Sequence, residues 1–234
     1  MFKNFNSIYL DFDGTITKYD TLGLFFSNFA GPGWLDAEQE WISGKINSKT
    51  CVQRQLALVK NLTPERFYDF LNSIEIQDGF IDFCAAAKKA GKKITVLSDG
   101  FDFFISYTLK RAGLDYIDFY SNKLNVTEKN GILEFSLEFP NENRDCKAGL
   151  GSCKCSKLSK NIKDEKFIYA GDGLSDWCIA SKSKMLFAKK SLKKHCEKNG
   201  IKFIEFKTFF NVLDYLKEGM ANNAGFTTKN IDRK

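Results

Sequence analysis

No stretch of about 20 consecutive apolar residues occurs along the chain, and nothing near Met1 resembles an apolar leader followed by a small-residue cleavage site. A membrane-spanning helix is thereby excluded as the organising element, and a cytoplasmic protein with no membrane partner is expected. Histidine occurs once, at His195. Cys146, Cys153 and Cys155 are not arranged as paired Cys-x-x-Cys knuckles, so a structural zinc site is not expected either. Seven cysteines, an odd number in a chain without a secretory signal, argue against a disulfide framework and for reduced thiols. Basic residues exceed acidic ones by 35 to 29, and the densest run holds Lys184, Lys189, Lys190, Lys193, Lys194 and Lys198. That run lacks the interleaved aromatics of a base-stacking surface, so it reads as a solvated face and no nucleic-acid partner is expected. The net charge of +6 suits a small anionic ligand, such as a phosphorylated metabolite. With 43% hydrophobic and 27% charged residues, the composition is that of an ordinary globular protein.

What is present is an alternation of short apolar runs and helical periodicities. Ser7-Ile-Tyr-Leu-Asp-Phe is a buried strand that breaks into Asp-Gly-Thr. Residues 21–77 then change character, with helical spacing over 34–41, 52–59 and 64–71 and no strong strand between, which predicts a helical insertion. Alternation resumes with a helix over 81–90 ending at Gly91, a strand over 93–98 and a helix over 103–112 ending at Gly113. Two alternating runs in 123–139 flank Asn130-Gly131, a hairpin signal. A Cys- and Lys-rich stretch leads into a helix before Lys166, followed by the strand Lys166-Phe-Ile-Tyr-Ala-Gly and a last strand over 201–206. This order predicts an α/β fold: a Rossmann-like, doubly wound, mainly parallel sheet with helices on both faces, an inserted helical segment and a small β-hairpin. The expected organisation is a core formed by 1–18 and 78–218, an insertion over 19–77 and a loose tail over 219–234.

Four clusters fall at predicted strand ends, where ligands of such sheets bind. In Asp11-Phe-Asp-Gly-Thr, alternation turns two carboxylates toward the crevice and Phe12 toward the core. Asp11 can attack phosphorus while Asp13 protonates the leaving oxygen and later takes a proton from water. At Ser98-Asp-Gly a hydroxyl and consecutive backbone N–H groups can hold a phosphate oxygen, which makes Ser98, Asp99 and Gly100 candidates. Lys154 and Lys157 each offer an ammonium to offset the site's negative charge. In Gly171-Asp-Gly-Leu-Ser-Asp, Asp172 and Asp176 are four residues apart and present hard oxygen ligands of the kind Mg²⁺ prefers.

These motifs together resemble the haloacid dehalogenase superfamily, in its phosphoserine-phosphatase-like branch with a helical cap after the first motif (the C1 type). Ser98-Asp-Gly-Phe-Asp-Phe-Phe-Ile, Cys153-Lys-Cys-Ser-Lys-Leu and Gly171-Asp-Gly-Leu-Ser-Asp are similar to the methylthiopentenyl-phosphate phosphatase-like group of methionine salvage. The resemblance implies a phosphatase working through a phospho-aspartate on Asp11, with Mg²⁺ held by Asp11, the backbone carbonyl of Asp13 and Asp172, and Asp176 close by or reached through water. It also favours Lys154 over Lys157, because a Cys-Lys pair supplies that motif in the group, and it assigns Asp20 to the leaving group, where phosphoserine phosphatases carry Glu. The insertion would then act as a lid. Within it, Arg54 is a candidate for meeting a phosphate or carboxylate bidentately, and Phe25, Trp34 and Trp41 are candidates for an apolar pocket or, alternatively, for core. A phosphotransferase of the same chemistry, or a phosphometabolite-binding protein without turnover, keeps the same fold.

Overall fold

Ile8 and Leu10 face one side of the first strand and Tyr9 the other, as a two-residue repeat dictates, and all three are buried because helices cover both faces. In the computed structural model, which describes residues 2, 5–146, 149–158 and 166–221, the described residues contain seven strands. They are Ser7–Leu10 (β1), Lys93–Phe101 (β2), Asp118–Lys129 (β3), Ile132–Glu138 (β4), Phe167–Gly171 (β5), Met185–Ala188 (β6) and Ile204–Glu205 (β7). They form one sheet in the order β4-β3-β2-β1-β5-β6-β7, parallel except for the β3–β4 pair. The sheet reverses its winding at β1, which pairs with β2 on one side and β5 on the other. A crevice opens beyond the carboxyl ends at such a point.

The helices are Thr21–Phe29 (α1), Trp34–Ile42 (α2), Ser48–Ala57 (α3), Pro64–Ser73 (α4), Phe80–Lys89 (α5), Asp102–Arg111 (α6), Trp177–Ala180 (α7), Lys190–Asn199 (α8) and Phe209–Ala221 (α9). Phe80, Phe83, Ile105, Phe209 and Leu213 bring α5, α6 and α9 onto one face of the sheet, and Ile179, Leu192 and Cys196 bring α7 and α8 onto the other. The doubly wound architecture is therefore present. Several details differ from the sequence reading. The expected hairpin about Asn130-Gly131 is present, but β3 starts earlier, at Asp118, and its first part pairs in parallel with β2, so the hairpin extends the main sheet. The strand β6 was hidden in a short apolar run between lysines, and β7 retains only two of the six residues expected. The helix α9 continues to Ala221, into the segment expected to be loose; 222–234 and the helix expected just before Lys166 lie outside the described residues.

The four helices α1–α4 leave and rejoin the sheet side by side. Thr17 bridges Ile76, Lys18 N–H donates to the Glu75 carbonyl at 3.0 Å, and Gln77 N–H donates to the Ile16 carbonyl at 2.8 Å. Side chains cap three of these helices: Asp20 accepts from Gly23 N–H, Asn47 from Thr50 N–H, and Thr63 from Arg66 N–H with Pro64 in the first turn. Phe25 and Trp34 belong to a packed cluster. Phe25 is fully buried, with ring centroids 5.4 Å from Phe70, 5.2 Å from Phe104 and 6.2 Å from Phe135, so it joins the insertion to α6 and the hairpin. Trp34 packs on Phe26 at the edge of the same cluster.

Truncating Phe25 to alanine removes a ring shared by three structural units. We expect Phe25→Ala to cost about 3–5 kcal/mol, seen in urea unfolding as a lower midpoint at unchanged slope; a cost below about 1 kcal/mol would show that the cluster does not join them.

Candidate active site

The last residue pair of β1 delivers Asp11 to the crevice, where its N–H donates to the Ala170 carbonyl of the neighbouring strand at 2.9 Å. The chain then makes a tight irregular loop over Phe12–Ile16. Gly14 has φ +68°, and a side chain there would run into the Asp172 carboxylate, so both its conformation and the close approach call for glycine. Phe12 turns into the core, which leaves Asp11 and Asp13 on the crevice side. Asp172 follows the end of β5 and Asp176 ends the short turn Leu174–Asp176. Oxygens of Asp11, Asp172 and Asp176 lie within 4.8 Å of one another, all buried.

A single ammonium sits among them. Lys154, 1% exposed, donates to Asp11 Oδ1 at 2.6 Å and to Asp176 Oδ1 at 2.5 Å. Asp176 also accepts from Tyr169 Oη at 2.5 Å and from the N–H groups of Asp172 and Gly173 at 2.9 Å each. Four donors fill the roughly four acceptor positions of a carboxylate. Asp176, expected close to the metal or reached through water, belongs to the same acidic triad and also holds Lys154 and the Asp172 turn in place. Asp172 Oδ2 is met by Lys190 Nζ at 2.8 Å.

Asp13 lies on the opposite side of Asp11. Its Oδ1 accepts from the N–H of Thr21 at 3.3 Å and from the Thr21 hydroxyl, and its Oδ2 from Ser98 Oγ at 3.3 Å. Ser98 Oγ in turn accepts from Gly100 N–H at 2.9 Å. Burial, reinforced by the charge of Asp20, pushes the Asp13 carboxyl up to about 7 even though the Thr21 hydroxyl opposes the shift. Burial and then the neighbouring charge of Asp176 also raise Asp11 and Asp172, against the pull of Lys154 and Lys190 respectively. Burial disfavours the Lys154 ammonium, yet Asp11 and Asp176 hold it protonated above the ordinary lysine range. Four carboxylates therefore face the paired Lys154 and Lys190 and the buried Lys189, whose ammonium burial pushes down to about 8 against the pull of Asp172. Asp11 and Asp172, with hard oxygens close together and raised by burial and by the charge of Asp176, fit a small divalent cation.

Other expected residues fall elsewhere. The carboxylate of Asp99, expected to meet substrate, accepts from Ser48 Oγ at 2.5 Å and Ser152 N–H at 2.7 Å. Arg54 is paired with Glu40 at 2.7 Å and half exposed, and no hydrogen bond or ion pair among the described residues joins it to the acidic cluster. Its pairing depends on how α2 and α3 lie together, which sequence spacing does not reveal. Asp20 caps α1 near Asp13. Lys157 lies 5.2 Å from the centre of the Tyr120 ring. The sequence reading missed Lys190, Tyr169 and Thr21. Lys190 follows a strand end, so recognising β6 would have exposed it; Tyr169, two residues before Gly171, shows no signal beyond its place in an apolar strand.

Replacing Asp176 by alanine leaves the Lys154 ammonium, the Tyr169 hydroxyl and two N–H groups without their acceptor. A loss of about 3–5 kcal/mol is expected for breaking a buried charge pair in this way, measured by chemical unfolding. A variant as stable as the parent would show that water replaces the carboxylate without cost.

Comparison with known proteins agrees with this geometry. The profile of the haloacid dehalogenase-like hydrolases matches residues 8–181. A 2-hydroxy-3-keto-5-methylthiopentenyl-1-phosphate phosphatase from Bacillus velezensis is 30% identical over 227 residues, 92% of this chain and 89% of the relative. The enzyme of the same name from Geobacillus thermodenitrificans is 26% identical over 218 residues, 90% of this chain and 94% of that one. Among solved structures, a substrate-bound phosphoserine phosphatase superposes with a TM-score of 0.66 at 23% identity, covering 91% of this chain and 99% of the other, which supports the shared fold. A strand-end pair of aspartates, a buried lysine and a second acidic turn, matched by a profile spanning most of the chain, place this protein in the haloacid dehalogenase-like hydrolase family.

Proposed function

We propose that this chain is a magnesium-dependent phosphomonoester hydrolase that works through a phospho-aspartate on Asp11. The observation that carries the reading is the placement of Asp11 at the sheet's switch point, with Lys154 on one of its oxygens and Asp13 two residues further along the same crevice wall. An Asp11 oxygen attacks phosphorus as the bond from phosphorus to the leaving oxygen breaks, and Asp13 gives that oxygen its proton. Asp13, now a carboxylate, then takes a proton from the water that attacks the aspartyl phosphate, releasing inorganic phosphate and restoring Asp11. A carboxyl pushed up to about 7 suits both roles near neutrality. Ser98 Oγ, fixed by Gly100 N–H, and the Lys154 ammonium hold phosphoryl oxygens. The side chains of Asp11 and Asp172 and the backbone carbonyl of Asp13 would hold the Mg²⁺. When bound, that ion would offset the charge of the phosphoryl oxygens and of the crowded acids.

The named activity of the relatives supports 2-hydroxy-3-keto-5-methylthiopentenyl-1-phosphate, a small phosphorylated metabolite of methionine salvage, as the substrate. A second reading, a phosphorylated amine such as phosphoserine or phosphoethanolamine, is favoured by one feature. Burial and then the charge of Asp20 raise both Glu38 on α2 and Asp13, so Asp20 lies near both and offers a carboxylate to an ammonium. In either case residues 19–77 serve as a lid over the crevice and the enzyme is cytoplasmic.

Assay against a panel holding both classes decides between them, the preferred substrate giving the highest kcat/KM. Asp11→Asn should abolish phosphate release, and turnover retained by a clean preparation would remove the proposed nucleophile. Chelation with EDTA should stop activity and excess Mg²⁺ restore it; restoration by Zn²⁺ alone would contradict the hard-ligand argument.

A further inference from the structure

The segment 149–153, which presents Lys154, is held between the inserted helices and the sheet. From the insertion, Ser48 at the start of α3 donates through Oγ to Asp99 Oδ2 at 2.5 Å, and the same oxygen accepts from Gly151 N–H at 3.1 Å. Ser48 N–H donates to the Gly149 carbonyl at 3.2 Å. From the sheet, Asp99 Oδ1 accepts from Ser152 N–H at 2.7 Å and from Asn122 Nδ2 at 3.2 Å, and Asn122 also donates to the Asp99 carbonyl at 2.5 Å. Ser48, Asn122 and Ser152 are buried, so these bonds are shielded from water. The fit is close: a side chain at Gly151 would meet Asn122 Oδ1 and the Phe139 ring.

Asp99 thus joins three pieces of chain, namely the inserted helices, the strand β3 and the segment bearing Lys154. It directly follows Ser98 on β2, so its backbone is fixed by the phosphate-facing part of the site while its side chain points to the segment behind. Resting on the phosphatase reading above, we infer that Asp99 is a positioning residue that, with Ser48, couples the seating of the inserted helices to the placement of Lys154. Ser48 touches none of the reacting groups. When α3 is seated, its hydroxyl completes the Asp99 carboxylate and pins Gly151, three residues before Lys154. When α3 withdraws, Asp99 Oδ2 and Gly151 N–H lose their partner together and the segment loosens. The ammonium, which Asp11 and Asp176 hold in either state, then rests on an anchored segment only under a closed lid, which would favour substrates whose leaving group lets the helices seat.

The test uses the full chain with Mg²⁺, inorganic phosphate as the probe, and the variants Ser48→Ala and Ser48→Thr, the second of which keeps the hydroxyl. Amide hydrogen exchange should rise in Ser48→Ala over both 149–155 and the first turn of α3, with β1 and β5 unchanged. Phosphate affinity by calorimetry should fall about tenfold, the worth of a hydrogen bond to a charged group. Ser48→Thr should restore both, and thermal unfolding checks that each variant is folded. Exchange confined to α3, or phosphate binding equal to the parent in Ser48→Ala, would overturn the coupling. If the parent itself binds no phosphate, the phosphatase reading fails, and the exchange pattern alone then decides whether Ser48 and the Lys154 segment are linked.

Discussion

One buried ammonium organises the centre of this protein. Lys154 has no exposed atoms to speak of, and it remains charged there only because Asp11 and Asp176 approach it at 2.6 and 2.5 Å. Asp11 follows β1 directly and Asp176 lies on the turn after β5, and the two meet because β1 and β5 pair in parallel at the switch of winding. Their repulsion would separate the strand ends without a cation between them, and the lysine would not tolerate burial without the acids. The topology of the sheet and the charge balance of the site are therefore one requirement seen twice. The backbone N–H groups of Asp172 and Gly173 add their support, which fixes Asp176 without recourse to solvent.

The chemistry occupies one end of the sheet, and the bulk of the stabilisation lies elsewhere. Phenylalanine is abundant, at 23 residues, and much of it forms two separate clusters, one beneath the sheet under α5 and α9 and one between the inserted helices, α6 and the hairpin. The second cluster holds one flank of the insertion against the core. The other flank meets the core through hydroxyl, carboxylate and amide groups around Asp99, which exchange partners at lower cost than packed rings do. The two flanks thus differ in the stiffness of their attachment.

Much of this was legible in the sequence because the informative residues sit at strand ends. Asp11, Asp13, Ser98 and Asp172 each follow an apolar run directly, so finding the strand finds the residue. The limits are equally physical. Lys190 was read as part of a solvated lysine run because β6, four residues long, gives too short a pattern to separate from a loop. Which way Asp99 points is decided by Ser48, 51 residues earlier, and by Ser152, 53 residues later, and no local periodicity carries that information. Arg54 satisfies Glu40 on the adjacent helix, an exposed pairing set by how two short helices lie together. Phe25 was open to either a pocket or a core reading, and only the arrival of Phe104 and Phe135 from distant parts of the chain settles it as core.

The antiparallel bridge between Thr17 and Ile76 closes the insertion into a loop whose ends nearly touch, the arrangement that ordinarily lets a lineage exchange one such module for another. Here the exchange is hindered by Phe104 and Phe135, which would be left bare by any replacement lacking its own matching rings. A replacement module would therefore have to bring rings that fit Phe104 and Phe135, so the phenylalanine framework limits which insertions this sheet can accept.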